Sequence, residues 1–132
     1  MASTKQHALT ELESGFATIA DQSFDSVMIT TAGTTNKIVY VNKSFEKLTG
    51  YKAKDVIGRD PKFLQGAATD KGTIKRLITD LAAGRRFEGR TINYRADGSP
   101  FIMHWRVAPV RSGRGATAKT THYIAVQRVI SA

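Results

Sequence analysis

Asn93 and Gln127 are the side chains on which any chemistry in this sequence turns. Both lie in stretches whose period-two alternation reads as β-strand. In "KTTHYIAVQRVIS", Tyr123, Ala125, Gln127 and Val129 share one face, so Gln127 is a polar amide among apolar neighbours. In "SPFIMHWRVAPV", Phe101, Met103, Trp105 and Val107 share a face, and Ile102, His104 and Arg106 share the other. A buried amide left without a partner costs about 1–3 kcal/mol. Its partner is either a neighbouring backbone group or the edge of a heteroaromatic ligand that both donates and accepts, which an amide can match on both counts. Asn93, on the strand before, poses the same alternatives.

The remaining side chains remove most reaction classes. Cysteine is absent, which excludes disulfides, thiolate metal sites and thiol catalysis. The histidines, His7, His104 and His122, lie far apart and show no metal-ligand spacing. No nucleophile–base or acid–base constellation stands out, so the chain reads as a binding module and not an enzyme, with no metal site. No apolar run approaches the ~20 residues of a membrane span, and no signal-peptide pattern opens the chain. A cytoplasmic protein without a membrane partner is the expectation. The net charge of +9 comes from scattered Lys and Arg. Its densest cluster, Arg106, Arg111, Arg114 and Lys119, has no interleaved aromatics and looks like a hairpin tip. We read the charge as solubility and not as a nucleic-acid footprint.

The elements that must position the two amides can be read in order. At 132 residues the chain suits one domain with a single core. Residues 1–23 read as an N-terminal amphipathic helix or cap, with Ser3 and Gln6 at capping-box spacing and Leu9, Leu12, Phe16 and Ile19 as one apolar stripe. That stripe either packs on the domain at 24–132 or serves a partner helix in a dimer. "SVMITT" and "KIVYVN" are strands, and "KSFEKLTGY" is a short helix ended by Gly50. In "GRDPKFLQG", Asp60 caps a short helix and Pro61 occupies its first turn, where a missing N–H costs nothing. "TDKGTIKRLITDLAAG" is the best helix, with Ile74, Leu77, Ile78 and Leu81 at core-face spacing. "RFEGRTINYRA" and the strand after it are joined by Asp97-Gly98, a tight-hairpin signal. The order β-β-α-α-α-β-β-β predicts an α+β domain, a five-stranded antiparallel sheet with helices on one face and a cavity between them.

At this point the residues resemble a known family. "IVYVNKSFEKLTGY", "IGRDPKFLQG", "INYRADGSPF" and "HYIAVQRVIS" match, in order and spacing, the PAS fold and, within it, the light, oxygen, voltage (LOV) flavin-binding branch, across residues 24–131. The resemblance implies a flavin held between sheet and helices: FMN, with riboflavin or FAD as alternatives. By motif position Gln65 would reach the ribityl chain or ring edge, Asn93 the pyrimidine edge, and Gln127 the ring carbonyl near N5. Asp60 stands where the family has an asparagine near the ring, and Trp105 lies on the face that would line the pocket. Three departures stand out. Pro61 replaces the photoactive cysteine, so the cysteinyl–flavin adduct cannot form. Met103 replaces a second asparagine. Lys62 and Ile78 replace the two arginines that clamp the phosphate; lysine keeps the charge without the bidentate fork, and Lys71 and Lys75 are candidates to compensate.

What the resemblance implies is a sensory domain with redox or photoreduction signalling through Gln127, flavin fluorescence, and Trp105, Tyr40, Tyr94 or Tyr123 as electron donors. A homodimer through the N-terminal helix or the sheet face is the expected assembly. The competing reading is a PAS dimerisation or protein-interaction module with an empty or non-flavin pocket. Haem is discounted because "TDKGTIKRLITDLAAG" offers no His, Cys or Met as axial ligand.

Overall fold

The alternating stretches form strands β1 (Ser26–Thr31), β2 (Ile38–Val41), β3 (Phe87–Tyr94), β4 (Pro100–Ser112) and β5 (Lys119–Val129). The structure, a computed structural model, describes residues 8–130. All neighbouring strands pair antiparallel, in the order β2-β1-β5-β4-β3, so the two chain-terminal strands of the domain meet at the centre of a five-stranded sheet. Helices α2 (Lys43–Thr49), α3 (Ala53–Val56) and α4 (Lys71–Ala82), with a 3-10 turn at Pro61–Leu64, connect β2 to β3. This is the expected α+β architecture. The short α3 was not anticipated; it delivers the fully buried Val56 to the core.

Strand alternation divides the core in two. The inner face sends Met28, Ile38, Met103, Trp105, Val107 and Ala125 toward the helices, where Phe45, Val56 and Leu64 meet them. The outer face sends Val27, Ile29 and Val39 the other way, beneath helix α1 (Glu11–Ala20). Asn42 locks the junction. Its Oδ1 accepts from Phe45 N as the cap of α2 and from Val27 N, while its Nδ2 donates to the carbonyls of Ala20 and Asp25. Gly50 then ends α2 in the left-handed region at φ 78°, as a C-terminal glycine should.

Helix α1 departs from the sequence expectation in start and in face. Ser3 and Gln6 lie outside the described residues. The capping box present is Thr10 with Glu13, each side chain accepting from the other's backbone N–H at 3.1 Å. The stripe Leu9, Leu12, Phe16, Ile19 does not pack as a unit: Ile19 is 74% and Leu12 48% exposed, while Glu13, Ala17 and Ala20 are buried. Two causes turn the helix. Alanines let its backbone approach the sheet closely, and His122 on β5 donates from Nε2 to the buried Glu13 carboxylate at 2.6 Å. A buried carboxylate must keep such a partner, so the polar pair outranks the apolar stripe. Phe16 completes the contact edge-on to the His122 ring at 5.6 Å.

Two smaller differences follow from local physics. The β3–β4 connection is a three-residue loop, Ala96-Asp97-Gly98, closed by Arg95 N to Ser99 O at 2.9 Å, with Gly98 at φ 86°. Helix α4 has no fully buried residue, and Ile78 is 62% exposed, because this helix overhangs a cavity and does not seal it. Among the described residues, no helix is long and apolar enough to cross a membrane.

Candidate functional site

A cavity of about 870 Å³ lies between the inner sheet face and the helices. That volume falls within the range of small-molecule and cofactor pockets. Asp60, Lys62, Gln65, Asn93, Met103, Trp105 and Gln127, singled out from the sequence, all line it. They arrive from three places: the rim around the 3-10 turn, strands β3 and β4, and strand β5.

The rim owes its shape to packing around "FLQG". Leu64 is buried, and Phe63 is held edge-on by Tyr51 at 4.8 Å with the Arg59 guanidinium over its ring at 4.2 Å. That anchorage leaves Pro61, Lys62 and Gln65 along the cavity edge. Asp60 caps the turn by accepting from Lys62 N at 2.9 Å. Gly66 has no alternative, since a Cβ there would come within 2.3 Å of the Tyr94 ring. The segment is then stitched to β3: Thr69 Oγ1 accepts from Gly66 N and donates to Ile92 O, and Asp70 N donates to Thr91 Oγ1.

Within the cavity the two amides have different environments. Asn93 is buried; its Nδ2 donates to Met103 Sδ at 3.5 Å, a weak sulfur acceptor, and its Oδ1 has no partner among the described residues. Gln127 is 2% exposed, and its Oε1 accepts from Ser26 Oγ at 2.8 Å. Register places Ser26, Gln127 and Trp105 side by side across β1, β5 and β4. Trp105 packs against Phe87 at 4.9 Å and forms part of the cavity wall with Met28, Leu64, Leu77 and Val107. The lining therefore consists of flat and aliphatic walls, carboxamides at depth, and charge only at the rim.

The charged groups at the rim differ from the expectation in one respect. Lys62 lines the cavity, and so does Ile78, but Lys71 and Lys75 do not. Lys75 is turned one helical step away from the Ile74–Ile78 row, onto the exposed flank of α4. Arg111, which sequence reasoning passed over as part of a hairpin tip, lines the opposite end and donates to Ala118 O at 3.2 Å. Ser26 was also missed. Its partner is 101 residues away, and nothing local marks it. The perturbed carboxylates, Asp70, Glu88 and Asp97, are all held below their ordinary range by neighbouring hydrogen-bond donors, led by Thr73, His104 and Ser99 in turn. None of the three lines the cavity.

A family model described as the PAS domain matches residues 25–131. The chain is 39% identical over 82 residues to phototropin-2 of Oryza sativa subsp. japonica, a match that covers 62% of this chain and 9% of that protein. It is 34% identical over 110 residues to blue-light-activated histidine kinase 2 of Erythrobacter litoralis, covering 83% of this chain and 28% of that one. The chain therefore spans a minor part of the curated relatives it matches. Among solved structures, the LOV domain of a blue-light activated histidine kinase from Erythrobacter litoralis superposes with a TM-score of 0.74 at 31% identity, over 82% of this chain and 97% of that domain.

Proposed function

We propose that this chain, which belongs to the PAS-domain family and is homologous to LOV domains, is a sensory module that holds a flavin in the cavity beneath its sheet. The observation that carries the proposal is the orphaned Asn93 Oδ1: a buried acceptor without a partner among the described residues, on a side chain that lines the cavity. The imide N–H of a flavin's pyrimidine ring is such a donor. Gln127, with its Oε1 occupied by Ser26, has its NH2 group left for a ring acceptor. When bound, a flavin supplies blue-light absorption, fluorescence, and reduction accompanied by protonation at N5.

The chain's own residues then divide the work. Trp105 and the aliphatic wall would hold the ring and shield it from water. Asn93 fixes the pyrimidine edge, and Gln127 reads the edge that includes N5. Gln65 and Lys62 at the rim accommodate the ribityl chain and its phosphate. Asp60, acceptor-only and already capping the turn, contributes negative charge and no donor. Lys62 offers a point charge where two guanidinium groups would grip, so FMN is favoured over riboflavin only modestly, and FAD is the outlying alternative. Pro61 lines the cavity where a cysteine would be needed for covalent photochemistry, and no cysteine exists elsewhere in the chain. Signalling is therefore assigned to redox or photoreduction, with Trp105 and Tyr123, both in the cavity lining, as candidate donors and Gln127 as the responding residue. The module performs no catalysis of its own. The half-exposed Leu12 and the exposed Ile19 on α1, with Ile102 and Val126 on the outer sheet face, favour self-association through the N-terminal helix or that face.

The test is direct. Purified protein is incubated with riboflavin, FMN and FAD in turn, desalted, denatured, and the released cofactor identified by chromatography. FMN as the main species supports the proposal. A protein that stays colourless after reconstitution overturns it and leaves a PAS interaction module with a non-flavin pocket.

A further inference from the structure

Gln127 is useful as a reporter only if its amide can sit in two orientations without leaving a buried group unpaired. Its single protein partner decides that. Ser26 is itself buried, and its hydroxyl donates to Gln127 Oε1 at 2.8 Å. The backbone on both sides of Ser26 is pinned by one residue: Asn42 Nδ2 takes the carbonyl of Asp25 at 3.0 Å, and Asn42 Oδ1 takes the N–H of Val27 at 2.9 Å. The backbone that carries the hydroxyl is thus held in place, and the hydroxyl lies within hydrogen-bond distance of the amide, where its proton can rotate. A backbone carbonyl or N–H at that place would satisfy one orientation of Gln127 and penalise the other. A hydroxyl donates or accepts equally well.

We infer that Ser26 is the positioning residue that makes Gln127 a two-state amide, an inference that rests on the flavin reading above. With a ring edge that accepts, Gln127 turns its NH2 group to the ring, and Ser26 donates to Oε1, the arrangement present in this structure. With a ring edge that donates, Gln127 turns Oε1 to the ring, and Ser26 Oγ accepts from Nε2. Both arrangements keep the same number of hydrogen bonds on the protein side, so the ring edge alone sets the balance. The consequence reaches the N-terminal helix, because Asn42, which pins Ser26, also donates to the carbonyl of Ala20 in the last turn of α1.

Three variants and two readouts test this in the full chain. In flavin-free protein, the side-chain amide resonances of Gln127, assigned by their loss in Gln127→Leu, should move and broaden in Ser26→Ala and return in Ser26→Thr. In FMN-loaded protein, the infrared difference between reduced and oxidised states should contain a Gln127 carbonyl band that Ser26→Ala abolishes and Ser26→Thr restores. A full-size band in FMN-loaded Ser26→Ala overturns the inference while leaving flavin binding intact. Wild-type protein that takes up no flavin, yet shows the flavin-free resonance shift in Ser26→Ala, overturns the flavin reading and the switching role with it.

Discussion

Replacing Asn93 by leucine should move stability and affinity in opposite directions. In the flavin-free protein Asn93 Oδ1 is buried without a partner, a state that costs about 1–3 kcal/mol. Leucine removes that acceptor and the weak 3.5 Å contact to Met103 Sδ, and, having the same number of side-chain heavy atoms and the same branching, it fills nearly the same space beside the cavity. The flavin-free variant should therefore be more stable by up to that amount, which at about 4 °C per kcal/mol for a chain of this size is a readily measured rise in Tm. Flavin binding should weaken, because the imide N–H would lose its acceptor in a largely apolar cavity. The same energy range corresponds to a Kd raised about 5-fold to 150-fold. Thermal denaturation of flavin-free protein and fluorescence titration with FMN read the two effects separately. A flavin-free variant that melts at or below wild type would refute the stability argument, since Oδ1 must then already be satisfied. An unchanged Kd would place Asn93 out of reach of the ring. Only the opposed pair of changes agrees with an acceptor held ready for a ligand.

Other expectations concern the cavity wall, the rim and α4. Pro61→Cys should give FMN-loaded protein whose blue absorption bleaches under illumination and recovers in the dark; loaded, folded protein without reversible bleaching would show that position 61 does not approach the ring as in LOV domains. Trp105→Phe should brighten the flavin emission several-fold and slow photoreduction, because the indole is an oxidisable group in the cavity wall, beside the phenol of Tyr123; equal emission from the two loaded proteins would remove Trp105 as donor. Asp70 caps α4 through Thr73, and the Thr73 hydrogen bonds lower its pKa in the folded state. Its stabilisation is therefore fully present above the unfolded-state carboxylate value and is lost as pH falls through the lower folded value. Asp70→Asn should be less stable than wild type at neutral pH, with the gap closing in acid. Chemical denaturation from pH 7 down to about pH 2 measures this, and a gap independent of pH would count against it.

Legibility in the sequence tracked the range of the interaction concerned. Strand faces were readable because alternation is local, and the paired register then carried Asn93, Met103, Trp105 and Gln127 to one side of the sheet. The Asp60-Pro61 helix start and the Gly50 stop were readable because capping involves only adjacent residues. Helix α1 is legible only in part, because its orientation depends on a buried pair between Glu13 and His122, 109 residues apart. The stripe of large apolar residues was a real pattern, but the helix docks through its alanines and leaves part of that stripe in solvent. Ile78 was assigned to the core by the same helical logic, which cannot see that the space beneath α4 is a cavity. Arg111 and Ser26 escaped notice because each matters through a contact made only after the sheet has assembled.

On the proposed flavin reading, the two amides would separate holding a ligand from reporting on it. An amide with an unsatisfied acceptor gains most when a ligand arrives, because binding removes a penalty that the empty protein carries; Asn93 is of this kind. Such a group contributes affinity and has no second state to report. An amide whose acceptor is met by a hydroxyl gains less from the ligand, because its needs are already partly met; Gln127 is of this kind. On the same reading it could exchange donor for acceptor at small cost, so that a change in the ring edge would become a change in protein hydrogen bonding. Position in the sheet reinforces the division. Asn93 lies on β3, an edge strand tied to the 66–70 segment through Ile92 O and Thr91 Oγ1, whereas Gln127 lies on β5 at the centre, hydrogen-bonded to strands on both sides. A rotation at Gln127 is therefore felt first by Ser26 on β1, and through Asn42 by the two helices that flank that strand.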